Sequence, residues 1–312
     1  MKKTDKIFVA GHNGLVGSAI VRQLEDQGYI NIITKSRKEL DLRNQFAVDR
    51  FFDIFRPDYV FLAAAKAGGI YYNKTYPADF ITENLQIQTN VITSAYQYKV
   101  KKLLYLGSAC IYPKITPQPI REEYLLTGEL EPTNDAYAIA KIAGLVMCQK
   151  YHQQYGFNCI SLMPTNLYGI KDKFDIERSH VIPALINKFY DAKINNKDHI
   201  VCWGDGSPTR EFLFSDDLAD MCLFLMDNYD SPEIINVGID NEITIKELTE
   251  KIKTLIGFEG NIIWDESKPN GTPLRKLSYD KLSNLGWKPK YDLDTGLKIT
   301  IDWYLKNKDI CK

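Results

Sequence analysis

The chain has 312 residues, 45% of them hydrophobic and 25% charged, with a formal net charge of -1 at pH 7. That is the balance of a globular protein with a sizeable core, and it offers no basic surface to nucleic acid or to an acidic membrane. The six cysteines (Cys110, Cys148, Cys159, Cys202, Cys222 and Cys311) have no CxxC spacing and stand singly in apolar segments. This argues against a metal centre or a disulfide framework and for a reducing, cytoplasmic setting.

Ile7 to Ala10 form a short apolar run that leads into GHNGLVG, Gly11 to Gly17. After it Leu15, Val16, Ala19, Ile20 and Leu24 recur at helical spacing. The order is strand, glycine turn, helix. Gly28 supplies a left-handed stop, and a second strand is expected over 31–34. A helix over 45–55 stops at Arg56-Pro57. The run YVFLAAA, 59–65, is too uniformly apolar for a half-exposed strand and reads as a buried parallel one. Helices near 78–98 and 136–155 flank the strand LLYLGSA, 103–109, and CISLMPTNLYG, 159–169, reads as one more strand.

Strands alternating with helices imply an α/β fold with a doubly wound parallel sheet of the Rossmann type. Beyond Gly169 the rhythm shifts to shorter, mixed elements with loops rich in Gly, Pro, Asp and Asn. We expect a dinucleotide-binding domain over 1–169 and a smaller C-terminal substrate-binding domain over 170–312. A segment within 201–240, centred on the apolar run Ile234 to Gly238, is expected to return to the first sheet.

In the glycine turn, Gly11 makes the tight bend, Gly14 lets backbone approach a pyrophosphate, and Gly17 lets helix pack on strand. Asn13, Leu15 and Val16 lie where backbone amides meet the phosphates. The end of the second strand selects the cofactor, because an acid there holds a ribose hydroxyl and repels a 2′-phosphate. This chain carries Lys35, Ser36 and Arg37 instead. Arg37 matches a 2′-phosphate with its planar fork, which points to NADP, and Asp41 falls at the adenine end. The same residues would also suit a solvated basic turn.

Tyr137 and Lys141 in DAYAIAKIAG are one helical turn apart on nearly the same face. The lysine is expected to lower the tyrosine pKa and so prepare a proton donor for a carbonyl undergoing reduction. Ser108, just past a strand at the carboxyl edge of the sheet, can hydrogen-bond the same oxygen. With the glycine turn these residues, in this chain order, read as one active site.

The chain resembles the extended short-chain dehydrogenase/reductase family, and within it the enzymes that epimerise and reduce GDP-4-keto-6-deoxy-D-mannose. The resemblance spans the chain and rests on AGHNGLVGSAI, LAAAKAGGI (62–70), TYPADFI (75–81), LGSACIYPK (106–114), EPTNDAYAIAKIAG (131–144), MPTNLYG (163–169), SHVIPALI (179–186) and REFL (210–213). It implies NADPH-dependent epimerisation at carbons 3 and 5 and reduction at carbon 4, with Cys110 and His180 as the epimerase acid/base pair. It also implies that Lys188, Trp203 and Arg210, with Ser108, contact the nucleotide-sugar. Leu42, Ala64, Pro164, Asn166 and Leu167, with Lys141 and His180, then fall on positions that line the cofactor. A homodimer through the two long helices is implied as well, with Tyr96, Met147 and Tyr151 on its surface. Asn13, Ile170, Lys173 and Arg178 depart from the pattern, where a basic residue touching the cofactor phosphate, Pro, Asn and an uncharged residue are expected. The alternative is a reductase that acts only at carbon 4 of a related GDP-4-keto-6-deoxy hexose or heptose.

Overall fold

The computed structural model describes residues 1–175, 179–268 and 270–310; Arg178 and Cys311 lie outside them. The strand β1 (Ile7–Ala10) is fully buried and ends at Gly11, whose φ of 92° only glycine adopts readily. Helix α1 (Leu15–Asp26) starts beyond Gly14 and stops before Gly28, at φ 77°. Then come β2 (Ile32–Ile33), α2 (Gln45–Phe55) and β3 (Tyr59–Leu62). Asn44 caps α2 by accepting from the Ala47 amide, and Arg56 ends it in a left-handed turn before Pro57.

The short α3 (Ile70–Thr75) leads into the long α4 (Pro77–Gln97), followed by β4 (Lys102–Leu106), α5 (Asp135–Tyr155) and β5 (Cys159–Pro164). The predicted strand over 159–169 is in fact two. At Thr165 the chain leaves the first sheet, and β6 (Asn166–Tyr168) pairs elsewhere. The mostly apolar segment hid this switch, because Ile160, Leu162, Met163 and Tyr168 are all buried, although in different sheets.

The remaining elements are α6 (Val181–Ile194), β7 (His199–Trp203), β8 (Thr209–Phe214), α7 (Ser215–Asn228), β9 (Ile234–Val237), β10 (Glu242–Thr244) and α8 (Ile245–Ile256). They are followed by β11 (Asn261–Asp265), β12 (Leu274–Arg275), α9 (Asp280–Asn284) and α10 (Leu293–Asn307). The main sheet has the order β2-β1-β3-β4-β5-β9, all neighbours parallel. The order reverses between β1 and β3, which opens a crevice at their carboxyl ends.

Alternate strand residues feed two cores. Phe8, Val60, Leu62 and Leu103 pack with α2, α4 and α5, while Ile7, Val9, Phe61 and Leu104 pack with α1 and α7. Each such buried side chain stabilises the fold by roughly 1.5–3 kcal/mol. A third cluster, built on Phe174, Ile186, Phe189, Phe212, Leu248 and Ile301, gathers α6, α8 and α10 around β8. In the second sheet β8 lies between β10 and β12 and also pairs β6, and β7 pairs β11. No helix among the described residues is long and apolar enough to cross a membrane.

Candidate active site

The first wall of the site is the glycine turn. A Cβ on Gly17 would lie 2.1 Å from the Gly11 carbonyl oxygen, and one on Gly11 would lie 2.7 Å from the Ala64 amide nitrogen at the end of β3. Such spacing admits glycine only. Gly14 caps α1 with extended backbone and no side-chain bond, so amides of the first turn, at Leu15 and Val16, remain open beside exposed Asn13. This cradle fits the pyrophosphate of a dinucleotide, whose charge the helix terminus favours.

Beyond β2, Arg37 is largely exposed and bonds Glu83 at 3.2 Å. Asp41 is held by Arg43 and is pulled down to about 2, mainly by that hydrogen bond. The Leu42 carbonyl accepts from Asn90 at 2.9 Å. Arg37 is therefore not a loose surface cation: it belongs to a cluster of charges, which its sequence neighbours did not reveal.

The second wall is the edge of β4. The hydroxyl of Ser108 accepts from the Cys110 amide at 3.2 Å and caps the 3-10 turn Ala109–Ile111, leaving Cys110 half-buried. Tyr137 stands opposite on α5, where the Ser108 hydroxyl acts to lower its pKa. Lys141 is buried and donates to the Leu106 carbonyl at 2.7 Å, with its ammonium 5.9 Å from the centre of the Tyr137 ring. Gln88 of α4 fixes this helix by donating to the Ala140 carbonyl at 2.7 Å, and Tyr105 lies 2.9 Å from Gln88 and 3.2 Å from the Lys141 carbonyl.

The expected lowering of Tyr137 by Lys141 is not what this arrangement produces. Burial, and next the nearby Cys110, push the phenol up; the Ser108 hydroxyl only partly opposes them. Lys141 is pushed down to about 8 by burial. Desolvation of both groups outweighs their attraction across one helical turn, so the phenol keeps its proton and the ammonium holds its own weakly.

His180 stands immediately before α6 without capping it. Although His180 is exposed at the surface, protein packed around its ring and next Lys173 push its imidazole down, and Lys173 itself bonds the Ala67 carbonyl just past β3 at 2.7 Å. Pro164 is buried at the end of β5, with Asn166 and Leu167 on β6 beside it. The Asn166 amide donates to the Glu211 carbonyl of β8 at 2.9 Å, which reinforces the pairing of β6 with β8 in the second sheet.

Farther out, Lys188 donates to the Val201 carbonyl at 2.7 Å and Trp203 presents a ring that is 69% exposed, a costly posture for indole. Arg210 donates to the Thr209 carbonyl and is lowered by burial and then by Arg275, its register partner on β12. The loop through Asn270 and Gly271 reaches Asp205 and Arg210: Asn270 accepts from the Asp205 amide at 2.8 Å, and a Cβ on Gly271 would be 3.6 Å from the Arg210 guanidinium.

Arg275 is a residue that sequence reasoning missed. It donates to the carbonyls of Ala109 at 2.8 Å and Tyr112 at 3.2 Å, tying the Cys110 turn to the strand beside Arg210. No local motif signals it, since its partners are more than 160 residues away.

The profile described as the NAD dependent epimerase/dehydratase family matches residues 7–238. GDP-L-fucose synthase 1 of Arabidopsis thaliana is 59% identical over 305 residues, covering 98% of this chain and 94% of that protein. GDP-L-fucose synthase of Escherichia coli (strain K12) is 48% identical over 313 residues, covering 97% and 98%. Among solved structures, a GDP-mannoheptose C4 reductase from Campylobacter jejuni with NADP bound superposes with a TM-score of 0.90 at 40% identity, covering 98% and 99%. The chain belongs to the NAD dependent epimerase/dehydratase family and, within it, to the GDP-L-fucose synthase family.

Proposed function

We propose that this chain converts GDP-4-keto-6-deoxy-D-mannose to GDP-L-fucose by inverting carbons 3 and 5 and reducing carbon 4 with NADPH. The observation that carries the reading is the cluster at the β4 edge. It holds a protonated phenol (Tyr137), a hydroxyl (Ser108) and a thiol (Cys110), backed by a buried ammonium (Lys141). Identity of 48–59% to two GDP-L-fucose synthases, against 40% to the C4 reductase, supports epimerisation as well as reduction.

The residues divide the work. The ketone at carbon 4 acidifies the protons on carbons 3 and 5, and Cys110 and His180, on two separate segments, remove a proton and return one to the opposite face. Pushing the His180 imidazole down makes its protonated form a stronger acid. Ser108 hydrogen-bonds the carbonyl oxygen, and Tyr137 gives that oxygen its proton. When bound, NADPH supplies the hydride that carbon 4 accepts. Lys141, near 8, returns a proton to the phenol after each turnover.

The cofactor is held along Gly11, Asn13, Gly14, Leu15, Val16 and Gly17, with Arg37 on the 2′-phosphate, Asp41 and Leu42 toward the adenine, and Ala64, Pro164, Asn166, Leu167 and His180 along the remaining wall. Lys188 and Arg210 neutralise the diphosphate, and Trp203 packs on the base or sugar. In this reading the elements around the third core form the substrate side and the main sheet the cofactor side. We assign the protein to the cytoplasm, in keeping with its free thiols. It acts as a homodimer through α4 and α5, where Tyr96 stacks on Tyr155 at 4.5 Å and meets Tyr151 edge-on; a monomer mass in light scattering would remove that assignment.

Incubation with GDP-4-keto-6-deoxy-D-mannose and NADPH in deuterated water tests the reaction. The expected product is GDP-L-fucose carrying deuterium at carbons 3 and 5. A product that keeps the D-manno configuration overturns the reading in favour of simple reduction.

A further inference from the structure

Beyond holding Asp41, Arg43 sits at the centre of the charge cluster that follows β2 in the chain. Its guanidinium donates to Asp41 through Nε at 3.0 Å and through a terminal nitrogen at 2.7 Å, the bidentate geometry of a strong pair. Its other terminal nitrogen lies 3.4 Å from Glu83. Glu83 also receives Arg37 at 3.2 Å and Lys66 at 2.7 Å, and Lys66 reaches Asp79 at 3.1 Å. Arg37, Arg43 and Lys66 thus answer Asp41, Asp79 and Glu83 one for one. The Arg43 and Asp41 side chains are each about one-third exposed and Glu83 less, so solvent screens this cluster only in part.

A phosphate on Arg37 would bring close to two negative charges beside these carboxylates. Glu83 touches Arg37 directly, and the field of Arg37 reaches Asp41. Without Arg43, Asp41 would be left as an ionised acid within the field of Arg37, where its charge disfavours a second anion such as a phosphate.

We propose that Arg43 sets the preference for a 2′-phosphorylated dinucleotide by masking Asp41 and Glu83, acting through these carboxylates and not by touching the phosphate. Arg43 is in this sense a positioning and specificity residue, and the inference rests on the assignment of NADPH as the cofactor.

Fluorescence titration of NADPH and NADH against the full-length protein tests it. Wild type is expected to bind NADPH more tightly than NADH; failure there overturns the cofactor assignment itself and with it this inference. Arg43→Gln is expected to weaken NADPH by about tenfold, the scale of one lost charge-assisted interaction, while NADH stays within about twofold. Unchanged NADH binding also shows that the variant is folded. The double variant Arg43→Gln, Glu83→Gln is expected to bind NADPH at least about threefold more tightly than Arg43→Gln alone, because a carboxylate that needed masking beside Arg37 is gone. Equal NADPH binding in Arg43→Gln and wild type overturns the inference. So does a double variant as weak as the single one, which would make Arg43 a direct phosphate ligand. If Arg43→Gln weakens NADH as much as NADPH, the effect is structural and the inference is again overturned.

Discussion

The ammonium of Lys141 lies 5.9 Å from the centre of the Tyr137 ring but gives its hydrogen bond to the Leu106 carbonyl at 2.7 Å. This anchors the lysine to the end of β4 and sets it behind the phenol. Its burial pushes it down to about 8, so it is charged below that pH and neutral above it. Ketone reduction is therefore expected to hold steady up to about pH 8 and to fall tenfold per unit beyond it, once the ammonium can no longer resupply the phenol. Lys141→Arg keeps its charge throughout this range but cannot give up its proton, so its rate should be lower at every pH and should lack the break near pH 8. A rate–pH profile at saturating substrate checks both; a wild-type rate that stays flat to pH 10 would exclude the proton-return role.

Cys110 is held by two devices, the Ser108 cap on its amide and the grip of Arg275 on the carbonyls of Ala109 and Tyr112. Cys110→Ser keeps the size of the side chain and loses its easily formed anion. Incorporation of solvent deuterium at carbons 3 and 5 is expected to fall by about 10²-fold or more, within the range for loss of an acid–base group. NMR of the substrate pool in deuterated water measures it directly, and exchange at the wild-type rate would remove Cys110 from epimerisation.

The glycine cradle tolerates no side chain at Gly17, where a Cβ would meet the Gly11 carbonyl at 2.1 Å. The clash is with backbone on both sides, so nothing flexible can yield. Gly17→Ala is expected to cost about 3 kcal/mol or more in urea unfolding and to abolish dinucleotide binding. A variant with unchanged stability would mean that the turn relaxes far more easily than its contacts indicate.

Glu211 is fully buried, accepting from the Leu277 amide at 3.0 Å and the Tyr279 hydroxyl at 2.7 Å. Burial pushes its carboxyl up to about 7, and the two hydrogen bonds only partly offset this. The unfolded chain releases that proton near pH 4.3, so between about 4.3 and 7 the folded state binds more protons and its stability falls as pH rises. The loss from this group reaches on the order of 3 kcal/mol and is complete above pH 7. Glu211→Gln should therefore gain stability relative to wild type at pH 8 and not at pH 4. Urea midpoints for both proteins at those pH values decide the matter; an equal difference at the two would refute it.

The glycine turn, the helix starts and stops, and the Tyr137–Lys141 pair were legible because each is written within a few residues. Gly28 and Arg56-Pro57 end their helices as their local chemistry requires. The strand switch at Thr165 was hidden, since an apolar run does not say which sheet it enters. Arg43 and Arg275 were hidden for another reason: a charged residue in a loop reads as solvated until its partners come from elsewhere. Arg275 meets its carbonyls only because β12 pairs in register with β8, a long-range fact with no local trace. The pKa of Tyr137 was misjudged on similar grounds. Helical spacing gives the neighbour, but burial outweighs the neighbour and depends on the whole fold.

Deuterium exchange and turnover by the Tyr137→Phe protein test most directly whether one cleft holds two separable chemistries. In the proposed reaction the phenol gives its proton to the oxygen at carbon 4, so reduction is expected to fall by about 10²–10⁴-fold, while exchange at carbons 3 and 5, for which Ser108 still bonds that oxygen, falls by less than about tenfold. A Tyr137→Phe protein that reduces the ketone at the wild-type rate would contradict the assignment of the proton donor.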